Sequence, residues 1–210
     1  MRNTLLQVRD LDIGYKGKIL YKSVSFDINE GDCIMLCGAN GSGKTTMMNT
    51  LTRISDDICM IPTRIPKVKG FTTEEFIRLG CNGKDITLSA ESLGLERLLQ
   101  QDISTLSDGE FQKACIAIAL AKKASIILLD EPTAFLDAEN RRVVLQYLLR
   151  LCSMEIHAPA IMFSTHELHE AQTVCNKVIA LGADGVFRCK SDDIAGTVDT
   201  IFSNSKRDLI

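Results

Sequence analysis

Short runs without polar interruption punctuate the chain at residues 33–37 (CIMLC), 58–61 (ICMI), 126–129 (IILL) and 160–163 (AIMF). Runs of this length that do not alternate with polar residues read as strands buried on both faces of a parallel sheet. Between them lie helical spacings. Phe111, Ala114, Cys115 and Ile118 recur at i, i+3, i+4, i+7, as do Val144, Tyr147, Leu148 and Leu151, with Arg141, Arg142, Gln146 and Arg150 on other faces. Thr72 followed by Glu75 predicts a capped helix that runs through Leu79 and stops at Gly80. Nearer the start, residues 5–8 and 24–28 read as strands of a smaller antiparallel sheet. The expected architecture is α/β. No low-complexity segment, long linker or internal repeat interrupts it, so one domain over residues 1–210 is expected.

Small or reactive residues follow each buried run at once: 38–45 after the first, Thr63 after the second, Asp130 and Glu131 after the third, and 164–166 after the last. Ligands of open parallel sheets bind outside the carboxyl ends of the strands. The expected site is therefore that edge.

Composition narrows the classes without changing the picture. The 210 residues are 45% hydrophobic and 24% charged with a net charge of -3, enough apolar material for a substantial core. That balance argues against a disordered chain and gives no support to a basic nucleic-acid-binding surface. The longest apolar run, residues 114–121, is far short of the roughly 18 residues that cross a bilayer. The opening MRNTLLQVRD has no apolar stretch after its Arg, which argues against a secretory signal. Eight cysteines form no CxxC pair and mostly sit in apolar stretches, where Cys acts as a small hydrophobe, so reduced thiols are expected.

Residues 38–45 (GANGSGKT) match GxxxxGK(S/T) in full, after an apolar strand and before a predicted helix over 46–51. Glycines let backbone N–H groups turn inward around phosphate oxygens, and the following helix adds the positive end of its dipole. Gly38, Asn40, Gly41, Ser42, Gly43, Lys44, Thr45 and Thr46 are thus candidate nucleotide-binding residues. Lys44 can reach the β- and γ-phosphates, and the Thr45 hydroxyl can ligate Mg²⁺.

A phosphate loop alone leaves kinases, GTPases and transport ATPases open. Residues 106–110 (LSDGE), placed before 126–131 (IILLDE), discriminate among them. Here the sequence resembles the ABC ATPase family, in which an LSGGQ signature precedes a strand ending in Asp-Glu. The likeness extends over nearly the whole chain. It implies a P-loop NTPase core with a mostly parallel sheet, a small N-terminal antiparallel subdomain and a reduced helical subdomain over roughly 72–122. It also implies that Tyr15 stacks on adenine, that Asp137 in EPTAFLD belongs to the D-loop, and that His166 in STHEL is the switch histidine sensing the γ-phosphate. Asp130 is placed to hold Mg²⁺ and Glu131 to orient or deprotonate the attacking water. Lys44, Glu131 and His166 are the expected catalytic residues. Ser107 and Gly109 are expected to close over ATP held by a second copy, which implies a head-to-tail dimer.

The sequence departs from the family pattern in places. Thr63 stands where a Gln normally contacts Mg²⁺, so its contact to the metal runs through a shorter hydroxyl. Asp108 and Glu110 replace Gly and Gln in the signature, and two carboxylates beside a γ-phosphate weaken closure unless Asp108 points away or pairs with a cation. Positions 44 and 107 also lie closer together than is usual for the family. The segment 63–71 (TRIPKVKGF) carries basic residues and prolines, and Arg64, Lys67 and Phe71 are expected to contact a membrane partner.

The resemblance implies an ATP- and Mg²⁺-dependent ATPase subunit, cytoplasmic and peripheral on the inner face of the membrane, with permease subunits on separate chains and no nucleic acid. The phrases FTTEEFIRLG, STLSDGE and LDEPTAFLD look most like ATPases of ferric-siderophore, haem and cobalamin importers. An exporter ATPase, a soluble non-transport ABC ATPase and a nucleotide-binding regulator without hydrolysis are the alternatives.

Overall fold

A computed structural model of the chain describes residues 3–134, 136–154, 158–165, 173–182 and 185–190, with backbone alone at 187–190. The elements in chain order are β1 (Thr4–Tyr15), β2 (Lys18–Asn29), β3 (Cys33–Gly38), α1 (Lys44–Leu51), β4 (Ile58–Ile61), α2 (Thr73–Gly80), α3 (Thr87–Ser92), α4 (Asp108–Lys122), β5 (Ile126–Leu129), α5 (Ala138–Cys152), β6 (Ala160–Ser164), β7 (Lys177–Gly182) and β8 (Gly185–Lys190). A six-stranded sheet runs in the order β4-β5-β6-β3-β7-β8, and β1 and β2 form a separate two-stranded antiparallel ribbon. Strands β4, β5, β6, β3 and β7 are mutually parallel, and β8 returns antiparallel along the edge.

The unalternating apolar runs are explained by cover on both faces of this sheet. Along β3, Cys33, Met35 and Cys37 join the core shared with α4 and α5. Their neighbours Ile34 and Leu36 join the opposite core, made with Met47, Met48 and Leu51 of α1 and Val8, Phe26 and Ile28 of the ribbon. A strand with apolar layers on both sides has no polar face to show. The four runs became β3, β4, β5 and β6, whereas β7 and β8 went unrecognised in the pattern.

The ribbon is longer than the alternation suggested. It runs from Thr4 to Asn29 around a tight turn, with register irregularities between Val8 and Leu11 and between Leu11 and Ile13. Asp10 and Ser23 take left-handed φ of 48° and 51°. Their backbone N–H groups bond to side chains, Asp10 to Ser25 Oγ at 2.9 Å and Ser23 to Asp12 Oδ1 at 3.0 Å. Such bulges shift the inward-facing positions and break period two, which shortened the strands legible in sequence.

Helix α2 begins at the predicted capping box: Thr72 Oγ1 accepts the Glu75 N–H at 3.2 Å, and the Thr72 N–H donates to Glu75 Oε2 at 2.8 Å. Gly80, expected to stop the helix, is its last residue, and packing is what requires it. A Cβ there would lie 2.5 Å from Ile118 Cδ1, so glycine lets α2 press against α4. At the amino edge of the sheet the buried Asp32 pairs with Lys177 and accepts the Asn29 N–H at 2.6 Å. The seven cysteines whose side chains are described are free and buried, and burial pushes the thiols of Cys115 and Cys175 up to about 12. Among the described residues no helix is long and apolar enough to cross a membrane.

Candidate nucleotide site

Parallel strands deliver their following residues to one edge, and strand order decides which of them meet. Strand β6 lies between β5 and β3, with Leu36 paired to Ser164 and Leu129 paired to Phe163. The loop after β3 and the carboxylates after β5 therefore flank the end of β6. Thr45 Oγ1 donates to Asp130 Oδ2 at 2.7 Å, and Ser164 Oγ donates to Asp130 Oδ1 at 2.8 Å. Ser164 Oγ in turn accepts the Glu131 N–H at 2.8 Å. Residues from three strand ends thus form one chain of hydrogen bonds. Ser164 is fully buried; the sequence places it at the expected edge of the sheet but gives it no role of its own, because the bonds that make it central join three separate segments.

Glu131 has φ 51°, a left-handed conformation that costs a non-glycine residue about 1 kcal/mol. The Ser164 bond to its N–H helps hold the turn. The turn follows directly on Asp130, whose carboxylate is tied to Thr45 and Ser164, and the Glu131 charge acts on Lys44.

The phosphate loop is shaped as the motif requires. Gly43, the residue before α1, takes φ 101°, where a side chain would be strained and its Cβ would press Leu20 Cδ1 at 2.8 Å. Lys44 is 7% exposed, and its Nζ donates to the loop carbonyls of Gly38 at 2.9 Å and Ala39 at 3.2 Å. Burial pushes the Lys44 pKa down, while the Glu131 and Asp130 carboxylates and Cys37 oppose that shift. The Cys37 thiol beneath the loop is raised by burial to about 11. Ser42 Oγ is buried without a hydrogen-bond partner among the described residues, an orphan that a phosphate oxygen would satisfy. A brace unseen in the sequence comes from the ribbon: Tyr21 Oη donates to the Ser42 carbonyl at 2.7 Å.

The donor set suits Mg²⁺. A hydroxyl and a carboxylate are hard oxygen ligands, and Mg²⁺ takes one or two carboxylates plus substrate phosphates rather than an all-protein cage. Among the described residues no cluster of three His, Cys, Asp or Glu forms such a cage. Thr63 follows β4, one strand beyond β5, and no hydrogen bond among the described residues joins it to Thr45 or Asp130. It lines a neighbouring groove of about 450 Å³ with Lys67, Asp108 and Leu136.

The signature segment lies at the start of α4. Ser107 is the N-cap: its Oγ accepts the Glu110 N–H at 3.3 Å, and its own N–H and hydroxyl donate to Glu110 Oε2 at 2.8 and 2.7 Å. Those bonds from Ser107 hold the Glu110 carboxyl below its ordinary pKa. Gly109 is buried within its own chain, where a Cβ would lie 3.0 Å from Asn140 Oδ1. Asp137, exposed, caps α5 by accepting the Asn140 N–H at 2.8 Å, which lowers its pKa. The starts of α4 and α5 therefore lie against each other at Gly109 and Asn140 within one chain. Tyr15 is 58% exposed at the end of β1, with Lys16 Nζ 5.2 Å from its ring centre. His166 lies outside the described residues. Lys67, expected to face a partner, is half-buried and pairs within its own chain, 2.7 Å from Asp108 Oδ1 and 2.8 Å from the Leu106 carbonyl. Phe71 and Arg64 remain exposed.

A family model described as "ABC transporter" matches residues 21–59 and 55–134, which span the loop, the signature and the Asp-Glu pair. The chain belongs to the ABC transporter family. It is similar to an aliphatic sulfonates import ATP-binding protein of Pseudomonas savastanoi pv. phaseolicola, 32% identical over 204 residues, covering 90% of this chain and 74% of the relative. An iron(3+)-hydroxamate import ATP-binding protein of Bacillus subtilis is 27% identical over 212 residues, covering 84% and 78%. Among solved structures, a dimeric ATP-binding cassette in a post-hydrolysis state with ADP and phosphate superposes with a TM-score of 0.72 at 23% identity, over 88% of this chain and 98% of that one. Within the ABC transporter family this chain is the ATP-binding and ATP-hydrolysing subunit, with the α/β cassette fold.

Proposed function

We propose that this ABC ATPase drives an importer whose membrane-spanning subunits are separate chains, and that it works head-to-tail with a second copy from the inner face of the membrane. Residues 1–210 then form one cassette, with the helices over roughly 72–122 presenting the signature to the partner copy. The observation that carries the site assignment is the hydrogen-bond chain Thr45–Asp130–Ser164–Glu131, set beside the buried ammonium of Lys44.

In this reading the loop backbone, with Asn40, Ser42 and Thr46, cradles the phosphates, and Lys44 exchanges its carbonyl partners for the β- and γ-phosphates. Tyr15 offers an exposed ring to adenine. Thr45 and Asp130 would hold Mg²⁺, which would neutralise phosphate charge when bound. Glu131, in the left-handed turn after Asp130, orients or accepts a proton from the attacking water. His166 senses the γ-phosphate. Ser107, Gly109 and Asp137 face the second copy's nucleotide, and the short Thr63 hydroxyl would bear on the metal through an intervening water. Import is supported by the relatives named above. Their cargoes differ, a sulfonate and an iron hydroxamate, so the iron-chelate class rests on the loop phrases of the sequence.

The test is MgATP hydrolysis by the wild type and by Glu131→Gln. Turnover in the wild type, abolished by Glu131→Gln while ATP binding persists, is the expected result. A wild type that binds ATP but never hydrolyses it, alone or with its membrane subunits, overturns the catalytic assignment. Import is tested by whether the wild-type transporter, reconstituted in vesicles, moves a ferric hydroxamate toward the side bearing the ATPase.

A further inference from the structure

The start of α4 poses an electrostatic problem. A helix N-terminus receives anions because its first N–H groups point outward and its dipole is positive there. This one carries two carboxylates in its first turn, Asp108 and Glu110. Glu110 keeps its charge but is bonded within the chain, Oε2 accepting the N–H and hydroxyl of Ser107. Asp108 is different. Its side chain is 61% exposed, and it stands beside the residue expected to meet a second copy's γ-phosphate.

Lys67 answers that charge. It comes from the loop after β4, 41 residues away in sequence, and its Nζ lies 2.7 Å from Asp108 Oδ1. It also donates to the Leu106 carbonyl at 2.8 Å and sits 5.4 Å from the centre of the Phe111 ring. A carbonyl and an aromatic face thus fix the ammonium at the carboxylate, where a free surface lysine would wander. Exposed ion pairs contribute little to folding, so the main effect of this contact lies in where charge sits.

We propose that Lys67 is a positioning residue that masks Asp108 and so makes this carboxylate-bearing signature able to close over the nucleotide of a second copy. The inference rests on the head-to-tail reading above and deepens it. Without Lys67, an uncompensated carboxylate faces the incoming terminal phosphate within one helical turn, a repulsion that corresponds to about a ten-fold loss of association at moderate ionic strength.

The experiment measures ATP-dependent pairing by analytical ultracentrifugation in the Glu131→Gln background, together with MgATP affinity of the dilute protomer. Lys67→Met is expected to weaken pairing about ten-fold and leave protomer affinity unchanged, with the deficit shrinking at high salt. Lys67→Arg is expected to pair like the reference. Lys67→Met combined with Asp108→Asn is expected to recover pairing to within about two-fold of Asp108→Asn alone, because the charge to be masked is gone. Unaltered pairing in Lys67→Met overturns the proposal. So does a double variant as weak as Lys67→Met, which would assign the lysine's effect to its Leu106 and Phe111 contacts. Failure of the Glu131→Gln reference to pair with ATP overturns the head-to-tail reading itself, and separates that failure from this one.

Discussion

Ser164→Ala removes one oxygen from the centre of the site and exposes how much depends on it. The hydroxyl accepts the Glu131 N–H and donates to Asp130, both at 2.8 Å, in a fully buried position. Losing the donor to a buried carboxylate costs about 1.5–3 kcal/mol, and leaving a buried N–H without a partner costs about 1–3 kcal/mol. Asp130 keeps Thr45 at 2.7 Å, and the Glu131 turn can relax out of its φ of 51°, so the lower halves of these ranges apply. The expected destabilisation is about 3 kcal/mol, on the order of a 10 °C fall in Tm for a chain of this size. The same relaxation carries Glu131 off its direction, and a misplacement of about 1 Å costs roughly 100-fold in turnover. Thermal and urea unfolding, read beside kcat for MgATP hydrolysis, measure both. A loss of less than about 1 kcal/mol together with unchanged kcat would refute the view that Ser164 holds the two carboxylates in place.

Lys44 makes a pH prediction with two opposite signs. Its pKa in the free protein is depressed by burial and a bound phosphate raises it, so MgATP binding takes up a proton above the depressed value and affinity falls there by up to ten-fold per pH unit; calorimetry in buffers of different ionisation enthalpy reads this. Over the window from that value up to the unfolded lysine value the unfolded chain holds more protons, so this group's contribution to the stability of the nucleotide-free protein rises with pH. Glu131→Gln removes the largest opposing charge and should move the alkaline limb of binding to lower pH. Tyr21→Phe deletes the hydrogen bond to the Ser42 carbonyl and should weaken MgATP binding about five-fold, about 1 kcal/mol, with little change in kcat at saturation. Ser107→Arg should bind ATP as a protomer yet abolish turnover and lose about 1 kcal/mol of stability with the cap, whereas Ser107→Asn should keep the stability, as unfolding curves will show.

What the sequence made legible is what short-range chemistry writes. Continuous apolar runs announced β3, β4, β5 and β6 because both faces of those strands are covered, and the phosphate loop, Asp130 and Glu131 followed from their places after them. The Thr72–Glu75 box was equally local. Relations between distant segments stayed hidden. Ser164 matters because β6 lies between β5 and β3, an ordering that a linear pattern does not state. Tyr21 and Lys67 read as a half-polar ribbon residue and a loop cation until the fold set them against Ser42 and Asp108. Gly80 reads in sequence as a helix stop, whereas the flank of Ile118 is what requires it, and the bulges at Asp10 and Ser23 disguise more than half of each ribbon strand.

The buried thiols turn the protein into its own reporter. Cys33 and Cys37 on the central strand, Cys59 at the sheet margin, Cys81 and Cys115 among the helices, and Cys152 and Cys175 beside β3 are all shielded from reagent in the native state. A maleimide or Ellman's reagent can reach each sulfur only when its surroundings open, so single-cysteine versions would clock local unfolding region by region, with saturating nucleotide slowing those openings that expose the cradle.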